Sequence, residues 1–245
     1  MLFSNSKILY LRASLKPLAR KIKLTGGIVN LLHEFVDFDE LFVPYFHGAR
    51  PFWVGSKMHA LKSSNSGALG KLISTHSGSL TSKHPTHAFT GYGDRVVSVL
   101  GEHDGTKSCF YPIEELAKRY DFSMLLLGCV EESPGFSTVH VAQNQLGLSQ
   151  RHLLRFLLRW DELQNGAMRS RIAPEMPGCS KSFDKFYPYY ESEMNLLRGE
   201  LYGVSWIYIP SALGALNTEL SLLNDNGYFV DCGRITCLAC RLRFY

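Results

Sequence analysis

The sequence lacks the features that mark membrane, secreted and strongly charged proteins. No apolar run among its 245 residues approaches the roughly 20 residues that a bilayer-spanning helix requires. The N-terminus lacks the long apolar core of a secretion signal. The net charge is only +4, which is too small to indicate a nucleic-acid-binding surface. We therefore expect a cytoplasmic protein that binds neither nucleic acid nor membranes.

The sequence also lacks the two close cysteine pairs of a typical zinc motif. Without an export signal, its six cysteines are expected to be reduced thiols. Cys232, Cys237 and Cys240 form a Cys-x2-Cys pair with a third cysteine nearby, and Cys179 is a conceivable fourth zinc ligand. With no second close pair, the sequence leaves zinc binding open. We assign no metal ligand at this point.

What the sequence does contain is an alternation of strand and helix patterns. Strands are predicted at 7–11, 41–46, 123–130 and 204–209. Helices are predicted at 28–35, 67–73, 112–120, around His140, and at 151–163, 190–202 and 211–225. The segments 47–66 and 173–188 have loop composition, and 95–100 fits a strand or a helix edge. We expect one α/β domain over 1–245, with a mixed sheet flanked by helices in three layers and a looser helical part from about residue 150.

Two segments near the N-terminus have the composition of helix starts. Ser14-Leu15-Lys16-Pro17 combines a capping residue with an early proline, and Gly26-Gly27 precedes the helical pattern of 28–35. Helix N-termini bind anionic groups through free N–H groups and the helix dipole. Lys16 also begins a basic cluster with Arg20, Lys21 and Lys23. That cluster either faces an anionic ligand or is a solvated helix face.

Two histidine-containing segments are the most distinctive part of the chain. The first is Ser82-Lys83-His84-Pro85-Thr86-His87-Ala88-Phe89, and the second is Ser137-Thr138-Val139-His140-Val141-Ala142-Gln143. Histidine has the side-chain pKa nearest neutrality, so these segments suggest proton transfer. The alternative for the first segment is a rigid structural turn whose histidines bond to backbone. A lone histidine such as His140 can equally be structural.

Together these segments resemble the aminoglycoside 3-N-acetyltransferase family. That family has an Arg-Ser-x-His-Pro-Thr-His-Ser-like motif, a Leu-Leu-Leu-Gly strand, and a Thr-x-x-His-x-Ala-Glu motif. Here the strand matches 124–128, and the last motif matches 137–143 with Ser137 in place of threonine. The front of the chain matches through 10–16, Gly26-Gly27 and 41–44. The resemblance runs in good order over about 7–145 and more loosely to the end.

The resemblance implies an α/β fold of this family's type and a specific activity. It implies an acetyl-CoA-dependent transfer to the amino group of an aminoglycoside or related amino sugar, as in antibiotic resistance. The transfer is expected to be direct, with His140 as general base supported by Gln143. The implied acceptor-binding residues are His84, Thr86 and His87. The implied CoA-binding residues are Ser14, Leu15 and Lys16. The implied partners are the amine and CoA, and a homodimer is compatible.

The sequence departs from the family where its chemistry is expected. Gln143 stands where the family has a glutamate that orients the histidine and stabilises its imidazolium. Losing one charge-assisted hydrogen bond costs about 1.5–3 kcal/mol, or about one to two powers of ten in rate. Glu131 or Glu132 can substitute from the preceding loop. A second departure is Thr81 in place of arginine, which leaves Lys83 as the nearby cation.

Two other functional classes stay open at this point. The first is a weakened family member that binds CoA or a sugar without efficient turnover, which Gln143 favours. The second is a hydrolase with Ser137 or Cys129 as nucleophile and His140 as base, which the missing Gly-x-Ser-x-Gly motif disfavours. The positive net charge also argues for an acceptor less cationic than an antibiotic, such as a nucleotide-linked or cell-surface sugar.

Overall fold

The fold is built on a seven-stranded mixed sheet. A computed structural model describes residues 2–3, 7–46, 67–157, 159–164 and 167–243, so the predicted loop at 47–66 lies outside the described residues. The strands are β1 (Leu2–Phe3), β2 (Ile8–Ala13), β3 (Val36–Asp37), β4 (Glu40–Pro44), β5 (Leu80–Thr81), β6 (Phe89–Tyr92), β7 (Ser123–Leu127), β8 (Arg159–Gln164), β9 (Ala167–Ile172), β10 (Leu197–Leu201) and β11 (Val204–Ile209). The α-helices are α1 (Ala19–Leu24), α2 (Ile28–His33), α3 (Ala68–Ser74), α4 (Asp94–Glu102), α5 (Tyr111–Tyr120), α6 (Thr138–Gln145), α7 (Tyr187–Met194), α8 (Ala212–Asp225) and α9 (Leu238–Arg241). Two 3-10 turns lie at Leu153–Leu157 and Phe183–Phe186.

The strand order places two parallel pairs at the centre of the sheet. The order is β10-β11-β7-β2-β4-β6-β5, with β2 parallel to both β4 and β7. The outer pairings are antiparallel. Two further pairs lie apart from this sheet, a short parallel one between β1 and β3 and the β8–β9 hairpin. The carboxyl ends of β2 and β7 therefore lie side by side, which is where α/β folds commonly build ligand sites.

Apolar side chains alternate between two buried layers across the central strands. In β2, Ile8 and Tyr10 belong to one core, while Leu9 and Leu11 belong to the other. Helices α4, α5, α6 and α8 contribute to the first core, and α2 and α3 to the second. Because side chains alternate along a strand, a central strand with apolar residues on both faces needs a layer on each side. The predicted mixed sheet flanked by helices in three layers is confirmed.

Most elements with strong local patterns lie where they were predicted. The apolar runs at 7–11, 41–46, 123–130 and 204–209 became β2, β4, β7 and β11. The helices predicted at 28–35, 67–73, 112–120, around His140 and at 211–225 became α2, α3, α5, α6 and α8. The ambiguous segment 95–100 lies in α4, with Val96, Val99 and Leu100 buried on one face. No helix in the described ranges has the length and apolar character to cross a membrane.

The helix predicted at 151–163 is wrong. Residues 153–157 form a 3-10 turn, and the chain then enters the β8–β9 hairpin. The sequence between these strands is Asn165-Gly166, the strongest short-range signal for a two-residue hairpin. The helix predicted at 190–202 is also partly wrong, because α7 ends at Met194. Asn195 then adopts a left-handed conformation with φ of 56°, which ends the helix before β10.

The predicted helix start at Ser14 is wrong as well. The Ser14 backbone N–H donates to the Leu127 carbonyl at 2.9 Å, which extends the β2–β7 ladder by one residue. A turn at 16–18 follows, and α1 begins only at Ala19 with Leu18 as its N-cap. The segment Ser14-Leu15-Lys16 therefore lies at the carboxyl end of β2 rather than at a helix N-terminus. The predicted start of a helix after Gly26-Gly27 is confirmed by α2.

Candidate active site around His140

Helix α6 is fixed at its first turn by side chains from two other elements. The Ser137 hydroxyl lies 2.9 Å from the Tyr10 hydroxyl on β2. The Thr138 hydroxyl donates to Glu219 on α8 at 2.6 Å. Both contacts are buried, so the position of the turn that carries His140 is set by the sheet on one side and by α8 on the other. His140 itself is only partly buried.

The His140 imidazole is hydrogen-bonded within its own helix. Its Nδ1 lies 3.0 Å from the Gln143 Oε1, as expected for side chains three residues apart on one helix face. With the amide in this orientation its carbonyl oxygen accepts, which places the proton on Nδ1 and leaves the lone pair on Nε2. Gln143 is 1% exposed. Within the described part of the chain, its Nε2 has no hydrogen-bond partner.

The surroundings of His140 favour its neutral form. Burial lowers its pKa to about 4, the hydrogen bond to Gln143 opposes this shift, and the charges of Arg243 and Arg12 add to it. The Phe110 ring stacks on the imidazole at 4.8 Å between centroids, and Phe183 lies edge-on at 4.9 Å. The imidazole is therefore a neutral hydrogen-bond acceptor at physiological pH, but a weak base.

The first histidine segment forms a tight turn organised by His84. The His84 Nδ1 accepts backbone N–H groups from His87 at 3.0 Å and from Thr86 at 3.3 Å. His84 and Thr86 are buried, and the His84 ring stacks on His103 at 4.8 Å. His103 is itself held by Ser82 at 3.0 Å. The rigid-turn interpretation therefore describes the contacts of His84.

His87 projects from this turn toward His140. Its Nδ1 lies 2.8 Å from the Thr86 hydroxyl, and its ring packs 5.4 Å from Phe110 and 4.9 Å from Phe46. Burial lowers the pKa of His87 to about 3, with smaller contributions from His84 and His140. Since Phe110 contacts both His87 and His140, the structure brings the two histidine segments together around one aromatic ring.

Two arginines near His140 were not singled out from the sequence. Arg12, at the carboxyl end of β2, donates to the Gly135 carbonyl at 2.9 Å and to the Ser133 hydroxyl. Arg243 lies close to the end of the sequence, after α9. A charged residue ending a buried parallel strand is a recognisable signal, so Arg12 was within reach of sequence reasoning. Arg243 had no local signal, because only the fold brings it near α6.

The residues of the hydrolase hypothesis have other partners. The Ser137 hydroxyl bonds to Tyr10, and the Cys129 thiol lies 3.5 Å from the Arg12 carbonyl. Burial raises the pKa of Cys129, which disfavours its thiolate. Glu131 and Glu132 are exposed in the loop after β7, where they line a cavity of about 220 Å³ with Pro17. The contact with the imidazole is made by Gln143, as predicted, and neither Glu131 nor Glu132 is the hydrogen-bond partner of His140 among the described contacts.

Solved structures define the class of this fold. The chain is similar to the apoenzyme of aminoglycoside acetyltransferase AAC(3)-IVa, with a TM-score of 0.71 and 15% identity. The match covers 98% of this chain and 90% of the AAC(3)-IVa chain. For AAC-IIIb in a binary complex with CoASH, the TM-score is 0.63 at 14% identity, over 91% of each chain. For the YokD protein from Bacillus subtilis, the TM-score is 0.67 at 15% identity, and the match covers 92% of this chain and 89% of the YokD chain. A search of curated protein sequences gave no match.

The family follows from a separate comparison. The model of the aminoglycoside 3-N-acetyltransferase family matches residues 44–213, and the chain belongs to that family. Enzymes of this family are acetyltransferases, and acetyl-CoA is their cosubstrate. The resemblance carried by the two histidine segments is thereby confirmed, as are the enzyme class and the cosubstrate.

Proposed function

We propose that this protein transfers the acetyl group of acetyl-CoA directly to an amino group of an aminoglycoside or related amino sugar, with His140 as general base. The observation that carries this proposal is the 3.0 Å contact between the His140 Nδ1 and the Gln143 Oε1. That contact sets the tautomer in which Nε2 can accept a proton. An ammonium has no lone pair, so the acceptor must lose a proton before or during attack.

In the proposed reaction, acetyl-CoA supplies the acetyl group and the protein handles one proton. The ammonium first loses one proton to solvent, and the neutral amine attacks the thioester carbonyl. As the C–N bond forms and the C–S bond breaks, the His140 Nε2 takes the second proton, which leaves the amine nitrogen. The carbonyl of Gln143 holds the Nδ1–H and keeps the ring oriented. CoA leaves with the electron pair of the broken bond, and the proton on His140 can return to it. No covalent intermediate on the protein is required.

The remaining groups are assigned by position and charge. His87 and Phe110 form a wall beside His140, and the buried His84 and Thr86 hold His87 in place. Arg12 is part of a positive field that suits the anionic cosubstrate. The segment Ser14-Leu15-Lys16 at the end of β2 remains our proposed CoA contact, now as strand-end backbone rather than a helix N-terminus.

Similar solved structures support this choice of ligands. One is a histidine-to-alanine mutant of AAC(3)-IVa in complex with a gentamicin, with a TM-score of 0.70 and 16% identity. Another is AAC-VIa bound to sisomicin, with a TM-score of 0.62 and 14% identity. Gentamicin, sisomicin and simple amino sugars therefore form the first acceptor panel.

The test is acetyl-CoA turnover across that panel with the wild-type chain and His140→Ala. Removing a general base is expected to lower kcat by about 10²–10⁴-fold while CoA binding persists. His76→Ala is the matched control, since His76 is exposed and stacks on Tyr92 away from α6. Equal turnover by wild type and His140→Ala contradicts the role of His140. Absence of CoA binding by calorimetry contradicts the proposal as a whole.

A second candidate function is ligand binding without efficient turnover. It is favoured by the same site, because burial lowers the pKa of His140 to about 4 and Gln143 brings no charge to stabilise an imidazolium. CoA binding by calorimetry, with no acetylation of any panel amine by wild type or by Gln143→Glu, supports this candidate. Efficient turnover of any panel amine by the wild-type chain excludes it.

A further inference from the structure

Four cysteines from distant parts of the chain converge in the structure. Cys179 lies in the segment between β9 and the 3-10 turn at Phe183–Phe186, and the other three are Cys232, Cys237 and Cys240 near the C-terminus. Their four sulfur atoms all lie within 4.8 Å of one another. The Cys240 sulfur is 3.5 Å from that of Cys232 and 3.7 Å from that of Cys237. We call these four residues the thiol cluster.

The spacing of the thiol cluster is that of ligands around a single metal ion. A tetrahedral zinc site with Zn–S bonds of about 2.3 Å separates its sulfurs by about 3.8 Å. Larger iron–sulfur clusters lie between their thiolates and hold them further apart. Among single ions, an all-thiolate tetrahedral set selects zinc, or iron as the main competitor. We propose that the thiol cluster binds one structural Zn²⁺ ion.

The surroundings of the thiol cluster suit thiolate ligands. The Lys181 backbone N–H donates to the Cys179 sulfur at 3.5 Å, and the Arg234 backbone N–H donates to the Cys232 sulfur. Such N–H donors stabilise the negative charge on sulfur and orient the ligand. Four thiolates and one Zn²⁺ leave a net charge of −2. The Arg243 guanidinium packs against Gly178, the neighbour of Cys179, and its Nη1 lies 3.5 Å from a carboxylate oxygen of Asp231, the neighbour of Cys232.

The ion would supply a cross-link where regular structure is sparse. In the fully described stretch from 226 to 237, no residue belongs to a helix or strand. The thiol cluster joins this stretch to the segment at Cys179, next to the Ser182 hydroxyl that donates to the Val230 carbonyl. The following residue, Phe183, packs on His140. Zinc would thus help to hold Phe183 against His140 from a distance, without contacting His140 itself.

The first experiment is metal analysis of the purified full chain by inductively coupled plasma mass spectrometry. We expect about one zinc per chain in the wild type and near zero in Cys232→Ser and Cys240→Ser. Cys129→Ser is the matched control and is expected to keep its zinc, because its thiol lies apart against the Arg12 carbonyl. Iron in place of zinc overturns the metal assignment. Full zinc content in the two cluster variants overturns the ligand assignment.

Two measurements on the wild-type chain cover the case in which the cluster variants do not fold. Displacement of zinc by a mercurial reagent, followed with a chromogenic chelator, is expected to release one ion as four thiolates react. Replacement by Co²⁺ is expected to give the intense thiolate-to-cobalt absorption and visible bands of a tetrahedral all-sulfur site. A wild-type chain that holds no zinc, or whose cluster cysteines form disulfides by mass spectrometry, overturns the proposal. These readouts do not depend on acetyl transfer.

Discussion

Gln143→Glu is the most informative single change in this protein. It replaces an amide by a carboxylate of nearly the same shape at a side chain that is 1% exposed. The existing contact to the His140 Nδ1 at 3.0 Å can be kept. Among the described residues, the Gln143 Nε2 has no partner, so no hydrogen bond is lost with it. The change therefore adds one carboxylate beside His140. Burial opposes its ionisation, and we expect the nearby charges of Arg12 and Arg243, which act on His140, to keep it negative.

The size of the effect follows from the contact. A hydrogen bond to a charged group contributes about 1.5–3 kcal/mol. One pKa unit corresponds to about 1.4 kcal/mol, so the pKa of His140 should rise by about one to two units from its value of about 4. The imidazole stays neutral at physiological pH, and the imidazolium that forms in the transition state is stabilised. If that bond acts in the transition state, kcat should rise by about 10- to 100-fold.

Two measurements check this prediction independently. Histidine NMR titration reports the pKa of His140, which is assigned by comparison with His140→Ala. The acid limb of the kcat/KM profile reports the same group in the free enzyme. Both are expected to move to higher pH in Gln143→Glu. Turnover is followed by the loss of thioester absorbance, which avoids thiol reagents that would attack the chain's own cysteines.

The control places the same charge on the same helix but away from the imidazole. Gln145 is exposed, and its Nε2 donates to Glu114 at 2.9 Å, so Gln145→Glu should leave the pKa of His140 unchanged. If Gln143→Glu moves neither the pKa nor kcat in a folded protein, the hydrogen bond to Nδ1 does not govern the basicity of His140. A rise in pKa without any rise in kcat would show that proton transfer to His140 is not rate-limiting.

Three further predictions concern stability. Burial raises the pKa of Glu219 to about 8, so the folded chain keeps a proton that the unfolded chain loses from about pH 4.5 upward. The stability of the wild-type fold should therefore fall as the pH rises from about 4.5 to about 8. In Glu219→Gln this fall should be smaller, which thermal melts followed by circular dichroism can measure. The pKa of His87 is shifted in the opposite direction, from 6.5 to about 3. As the pH falls, His87 therefore takes up a proton in the unfolded chain at a higher pH than in the folded chain. The urea midpoint should accordingly drop on acidification below about pH 6.5. Gly135→Ala should destabilise the fold by more than about 1–3 kcal/mol in urea titration, because φ there is +89° and the new Cβ would overlap Phe183. In Gly147→Ala the φ is also positive, but the nearest atom to the new Cβ is the Arg151 Nη2 at 4.0 Å, an ordinary contact, so only the backbone cost is expected.

The sequence predicted those parts of the fold that depend on local patterns. The apolar runs of β2 and β7 define buried strands without reference to the rest of the chain, and Gly26-Gly27 marks the start of α2. The failures at 151–163 and 190–202 have a common cause. Leu-rich segments fit a helical period, while the competing turn signals, Asn165-Gly166 and Asn195, span only one or two residues. In both segments the turn residues outweigh the helical period of the apolar side chains.

The site was only partly predictable, because its electrostatics come from residues far apart in sequence. The family resemblance singled out His140 and Gln143 as candidates, and i to i+3 geometry on a helix was enough to expect their contact. The residues that surround the imidazole from other elements could not be predicted in this way. Phe110, Phe183 and Arg243 reach His140 from separate elements, and no local pattern in the sequence connects them.

The influences on His140 act mostly in one direction, and this fixes the point in the proposed reaction at which His140 can take a proton. Burial, Arg12 and Arg243 all disfavour the imidazolium, while Gln143 opposes them only with a neutral carbonyl. A base of such low pKa takes a proton readily only from a nitrogen that has become acidic. An amine nitrogen becomes so once it has attacked the thioester, or when neighbouring positive charges have already lowered its own pKa. Every attacking amine meets the first condition, so the low pKa of His140 selects no particular acceptor and suits a base that acts as the C–N bond forms. A carboxylate at position 143 would stabilise the imidazolium, so in the proposed mechanism the residue at 143 bears on the rate of transfer.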